Sequence, residues 1–141
     1  MDKTLQIESL SVVSYRSLEN GLHEIVPHES SRQSVEQIFT LIDQIFASIP
    51  PGQTVRYIIA DYENIGMLPI THVARLGRAW LQKNPHHAPS RSLFLYHSSI
   101  LLSTGVTMLN ILQRSSRSQW KWRFVEIKNL EQGMQWLLAD D

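Results

Sequence analysis

A chain of 141 residues with 43% hydrophobic and 18% charged side chains is long enough to bury a core and too apolar to remain disordered. Its formal net charge of zero argues against a dedicated nucleic-acid binder, and the absence of cysteine excludes disulfides, thiolate metal sites and a cysteine nucleophile together. The opening residues lack the basic start and apolar run of a signal peptide, and no apolar stretch approaches the roughly 20 residues of a membrane span, so the expectation is a cytoplasmic protein without stable membrane insertion.

Taken in order, Leu5 to Leu18 holds two short alternating patches and predicts one long or broken strand. Glu19-Asn20-Gly21 follows, and Asn-Gly is a strong hairpin signal because both residues tolerate positive φ. Leu22 to Pro27 is the antiparallel return strand. Ser30 and Ser31 predict the cap of a helix to about Ser48, with Val35, Ile38, Phe39, Ile42, Ile45 and Phe46 on its inward stripe. Pro50-Pro51-Gly52 stops it. Thr54 to Asp61 reads as a buried strand with an acid at its carboxyl end, where loops of open α/β sheets line a shared crevice.

Pro69 suits the first turn of a second helix to Leu81, with Ile70, Val73, Ala74, Gly77 and Leu81 inward. After the Asn84–Pro89 loop, Arg91 to His97 is an apolar run fit for a strand covered on both faces. A third helix is predicted from Ser98 or Ser99 to Gln113, and a last strand from Trp120 or Trp122 to Ile127. Asn129-Leu-Glu-Gln132 matches a capping box opening a final helix, with Leu130, Met134, Leu137 and Leu138 inward. The order β-β-α-β-α-β-α-β-α, with no internal repeat or linker, predicts a single α/β domain on a mixed, mostly parallel sheet.

That order, the Val55–Asp61 strand with its terminal acid, and the ending Phe124-Val-Glu-Ile-Lys-Asn-Leu-Glu-Gln-Gly-Met-Gln-Trp-Leu137 together resemble STAS and SpoIIAA-like domains, from roughly Val12 onward. The resemblance implies a non-enzymatic regulatory module that docks protein partners or small ligands and needs no cofactor. In several such domains a phosphoswitch uses an Asp-Ser pair at the start of the helix after the third strand. Laid onto this chain, that place falls at Pro69, Ile70 and Thr71. Asp61 matches the strand-ending acid, the Asp-Ser pair has no counterpart, and Thr71 is the hydroxyl at that place.

Asp61 reads either as a functional acid or as an acceptor of backbone N–H groups in its own turn, a role Asp takes readily. His72 shares the expected crevice rim with Asp61, the pair on which an otherwise unsignalled hydrolase would rest. The competing reading is a hydrogen-bonded bystander. His23 and His28 flank a strand, and His86 and His87 lie in a proline-flanked loop without metal-ligand spacing, read as solvated. No nucleophile elbow, Walker loop or dinucleotide fingerprint is present.

The predicted third helix is apolar around more than one face. The part left over after packing on the sheet, Ile100, Thr104, Met108 and Ile111, needs another cover. That cover is a neighbouring helix, a homodimer or protein partner, or a small apolar or lipid-like ligand. Arg114, Arg117, Lys121 and Arg123 interleave with Trp120 and Trp122, read as a solvated connection leading into a strand rather than an anion-binding surface. The sequence therefore leads to an interaction module docking through the Asp61–Thr71 loop and the third helix, with an apolar-ligand carrier as the alternative.

Overall fold

A computed structural model describes residues 10–97 and 120–139. The predicted third helix, with Ile100, Thr104, Met108 and Ile111, lies outside the described residues, as do Arg114 and Arg117. Five strands form one mixed α/β sheet: β1 (Val13–Ser17), β2 (Leu22–Pro27), β3 (Val55–Ala60), β4 (Ser90–Tyr96) and β5 (Trp120–Glu126). Three α-helices accompany them among the described residues: α1 (Arg32–Ser48), α2 (Ile70–Lys83) and α3 (Leu130–Leu138).

The strands stand in sequence order, β1-β2-β3-β4-β5, with only the first pair antiparallel. The hairpin turn carries φ 63° at Asn20 and 71° at Gly21, the left-handed values that Asn-Gly accepts at little cost. Because the order never reverses among the described strands, they contain no topological switch point of the kind at which doubly wound sheets bind ligands.

Ser31 caps α1, its hydroxyl accepting the Ser34 N–H at 3.1 Å, and Ser34 in turn donates to the Glu29 carbonyl at 2.6 Å. Val35, Ile38, Ile42 and Ile45 are buried as the helical stripe predicts, whereas Phe39 and Phe46 are only half-buried and Leu41, outside that stripe, is fully buried. Ile38, Leu41, Ile42 and Ile45 meet Ile25, Val55, Tyr57 and Ile59 on one face of the sheet, and Val35 packs with Val73 of α2. On α2, Val73, Ala74 and Gly77 are buried as expected, but Trp80 is the large inward residue and Leu81 is only half-buried. The Trp80 indole donates to the Asp43 carboxylate at 3.2 Å, which lets its polar edge reach the rim of the core.

Strand period sorts β5 into two chemistries. Trp120, Trp122 and Phe124 face α1 and α2, with Trp120 stacked on Trp122 at 4.5 Å and Phe94 on Phe124 at 4.7 Å. The Trp120 indole donates to the Tyr57 hydroxyl at 2.9 Å and to the Ser92 hydroxyl at 2.7 Å, satisfying a wholly buried group. Lys121 and Arg123 are exposed on the opposite face. The interleaving of cations and tryptophans is thus the two-residue period of a strand.

Helix α3 covers the second face over β3, β4 and β5, where Leu22, Ile58, Ala60, Leu93, Leu95 and Leu137 are buried. A Cβ at Gly133 would stand 3.1 Å from both Leu93 methyls, so the missing side chain sets how closely the helix approaches. Two expectations fail here. Leu130 and Leu138 are exposed: contact runs along Gly133 and Leu137, and Leu138 points about 100° around the helix. The capping box also does not form, because Asn129 ends a 3-10 turn with φ −107° and ψ 27°, outside the extended cap conformation.

The other end of α3 is closed from the sheet. Arg56 of β3 donates to the Leu137 carbonyl and, at 3.0 Å, to that of Ala139. Arg91 of β4 donates to the Trp136 carbonyl and lies 5.4 Å over the Trp136 ring, with Arg123 at 5.1 Å. Cations at a helix C-terminus satisfy orphan carbonyls and the negative end of the dipole together.

Candidate functional site

The segment from Asp61 to Pro69 connects the carboxyl end of β3 to α2, and Asp61 folds it. The Asp61 N–H continues the sheet by donating to the Leu95 carbonyl at 2.9 Å. Its carboxylate accepts the N–H groups of Ile65 at 2.8 Å and Gly66 at 3.2 Å. Asn64 (φ 55°) and Gly66 (φ 92°) take the left-handed conformations that bring those groups round. Of the two readings of Asp61, the geometry matches the acceptor of its own turn.

Side chains from three other segments then brace the loop. The Tyr62 hydroxyl donates to Glu24 at 2.7 Å, Ser30 donates to the Met67 carbonyl, and His97 Nε2 lies 3.3 Å from the Tyr62 carbonyl. Glu24 is itself buried on β2 and paired with Arg16 of β1 at 2.8 Å. Partial burial, the hydrogen bond to Glu24 and the charge of Glu24 push the Tyr62 phenol up to about 12, with Arg16 pulling the other way. Tyr62 nonetheless keeps 42% of its surface exposed.

Alongside lies a second chain of contacts. His28 Nδ1 meets both carboxylate oxygens of Glu63, at 2.9 and 3.0 Å, and its Nε2 lies 2.6 Å from the Ser14 hydroxyl oxygen. Neither Ser14 nor Glu63 stands out in the sequence, and His28 reads there only as a strand-flanking residue. The one signal is hairpin register: pairing Val13 with Pro27 sets His28 diagonally beyond Ser14.

The expected pair of Asp61 and His72 does not come together. His72 is buried on the side of α2 that faces α1, with Nδ1 2.5 Å from Arg75 and Nε2 3.7 Å from Glu36. It follows Pro69 by three residues, and that helical phase turns it towards α1 rather than to the strand ends. Thr71 is exposed in the first turn of α2. His86 is exposed as expected, whereas His87 is half-buried beside Trp80 at 5.4 Å and Phe46 at 5.7 Å, so it belongs to the aromatic core margin and not to a solvated loop.

Among the described residues, no group of three or more His, Asp or Glu side chains could hold a metal ion, and no helix is long and apolar enough to cross a membrane. Comparison with family models, with curated proteins and with solved structures finds no match to this chain.

Proposed function

We propose that this chain is a regulatory interaction module of the STAS or SpoIIAA-like kind, which docks a protein partner through the loop from Asp61 to Thr71. The observation that carries the reading is the loop's bracing. Asp61 holds its backbone from within, and Glu24, His28, Ser30 and His97 hold it from outside. A surface fixed before binding loses little conformational entropy on binding, so more of the contact energy appears as affinity. Tyr62 stands at its outer edge as the aromatic anchor, with a polar end already bonded and an apolar ring in solvent. The Asp61 carboxylate serves the loop's shape rather than a reaction.

Site-directed photocrosslinking tests the proposal. A benzophenone amino acid replaces Tyr62 in one variant and exposed Gln53, at the opposite end of β3, in another. In cells, position 62 is expected to trap one discrete protein partner that position 53 does not. Absence of a crosslink from position 62, or the same products from both positions, would refute the docking role.

A further inference from the structure

We propose that Ser14, His28 and Glu63 constitute an activated nucleophile, with Ser14 accepting acyl groups from small activated esters. This goes beyond docking: it shares the His28–Glu63 contact that braces the loop and adds the Ser14 hydroxyl. The three side chains line up in the order that nucleophilic catalysis requires: hydroxyl, imidazole, carboxylate. Glu63 can only accept, so the proton between it and His28 sits on Nδ1. A neutral ring then has its lone pair on Nε2, 2.6 Å from the Ser14 oxygen, and the hydroxyl must donate to it.

The backbone fixes each member. Ser14 sits in the β1–β2 ladder opposite Val26. The His28 N–H donates to the Val12 carbonyl at 2.8 Å, one step beyond that ladder. Glu63 belongs to the loop that Asp61 folds. The group is open to solvent, with side-chain exposure of 39% for His28 and 52% for Glu63, which admits a small ester but builds no deep specificity pocket. Two residues along the same face of β1 stands Arg16, its side chain 67% exposed, its guanidinium paired with Glu24 at 2.8 Å and so only in part available to a developing oxyanion.

In the step itself, the Ser14 oxygen bonds to the ester carbonyl carbon while its proton passes to His28 Nε2. The bond from that carbon to the alcohol oxygen breaks, and His28 returns the proton to the leaving alcohol. Water then attacks the acyl-serine by the same route, releasing the carboxylic acid and restoring Ser14.

The test uses the full chain and two probes. A fluorophosphonate forms a serine–phosphorus bond with loss of fluoride, and p-nitrophenyl acetate releases nitrophenolate on acylation. The expected result is one phosphonyl adduct per chain, mapped by mass spectrometry to Ser14 and absent in Ser14→Ala. Losing the base should slow labelling and nitrophenolate release about 100-fold or more in His28→Gln. Glu63→Gln should slow both as well, with partial recovery in Glu63→Asp, which a merely structural contact would not produce. No adduct, adducts scattered over other serines, or Ser14 labelling equally fast in His28→Gln would overturn the proposal. Should His28→Gln not fold by circular dichroism, Glu63→Gln, an exposed loop position, decides. Neither probe involves a partner protein, so this result and the crosslinking result stand or fall separately.

Discussion

Replacing Asp61 with alanine separates a carboxylate that shapes a loop from one that performs chemistry. The substitution removes the acceptor for two backbone N–H groups, Ile65 at 2.8 Å and Gly66 at 3.2 Å. A hydrogen bond to a charged group contributes about 1.5–3 kcal/mol when shielded. The Gly66 bond is exposed, so water replaces most of it, while the Ile65 bond is part-buried and keeps most of its value. Asp61→Ala is therefore expected to cost about 2 kcal/mol. Asp61→Asn keeps one acceptor but turns an amide donor towards the other N–H, for a loss of about 1 kcal/mol. Urea unfolding followed by tryptophan fluorescence measures both, since Trp120 is wholly buried and Trp80 nearly so. A change below about 0.5 kcal/mol in Asp61→Ala would refute the reasoning, as that is the scale of an inconsequential surface substitution. A rise in stability would refute it more sharply, because strained functional groups behave that way.

Two further predictions concern the core and the alkaline limb. Gly133→Ala adds a Cβ 3.1 Å from both Leu93 methyls. Leu93 is fully buried, so its methyls can give way only by displacing packed neighbours, and an overpacking cost of about 1–3 kcal/mol exceeds the roughly 1 kcal/mol gain in helix propensity. A net loss of about 1 kcal/mol is expected by chemical denaturation, and a raised Tm would contradict it. Burial raises the phenols of Tyr57 and Tyr62, the latter to about 12 from an ordinary value of 10.0. Above pH 10 the unfolded chain loses protons that the folded chain keeps, so stability present below pH 10 falls as pH rises towards 12. Tyr62→Phe should make that decline shallower. An equal slope in parent and variant would show that Tyr62 is not protected.

Where local chemistry decides a segment, the sequence was sufficient. Asn20-Gly21 locates the hairpin because few other pairs accept two left-handed residues, and α1 is legible from its apolar stripe and serine cap. The run from Arg91 to His97 reads as a strand covered on both faces, and the strand observed there, Ser90–Tyr96, is buried on both. What escaped depends on contacts between distant segments. Leu130 and Leu138 fit an inward stripe until Gly133 fixes the line along which α3 touches the sheet. His72 looks like a rim residue until α1 takes its place beside α2. The cluster of Ser14, His28 and Glu63 has no local spacing at all, since it exists only through hairpin register and the fold of the Asp61 loop. Asp61 itself was found from sequence, and its turn-forming role was one of the two readings its residue type allows.

The monotonic strand order bears on how the chain assembles during synthesis. Each strand pairs with the one made just before it, so the sheet is able to grow by accretion as the polypeptide emerges, without leaving a slot for a later strand to enter. Until its successor arrives, each new strand is a temporary open edge, and the most apolar of them, β3, is exposed in this way while α2 is being made. The guanidinium groups of Arg56 and Arg91 then wait on an accumulating sheet for the carbonyls of the final helix. Arrival of that helix adds a layer to the second face of the sheet, over β3, β4 and β5, and seats its C-terminus on guanidinium groups already in place.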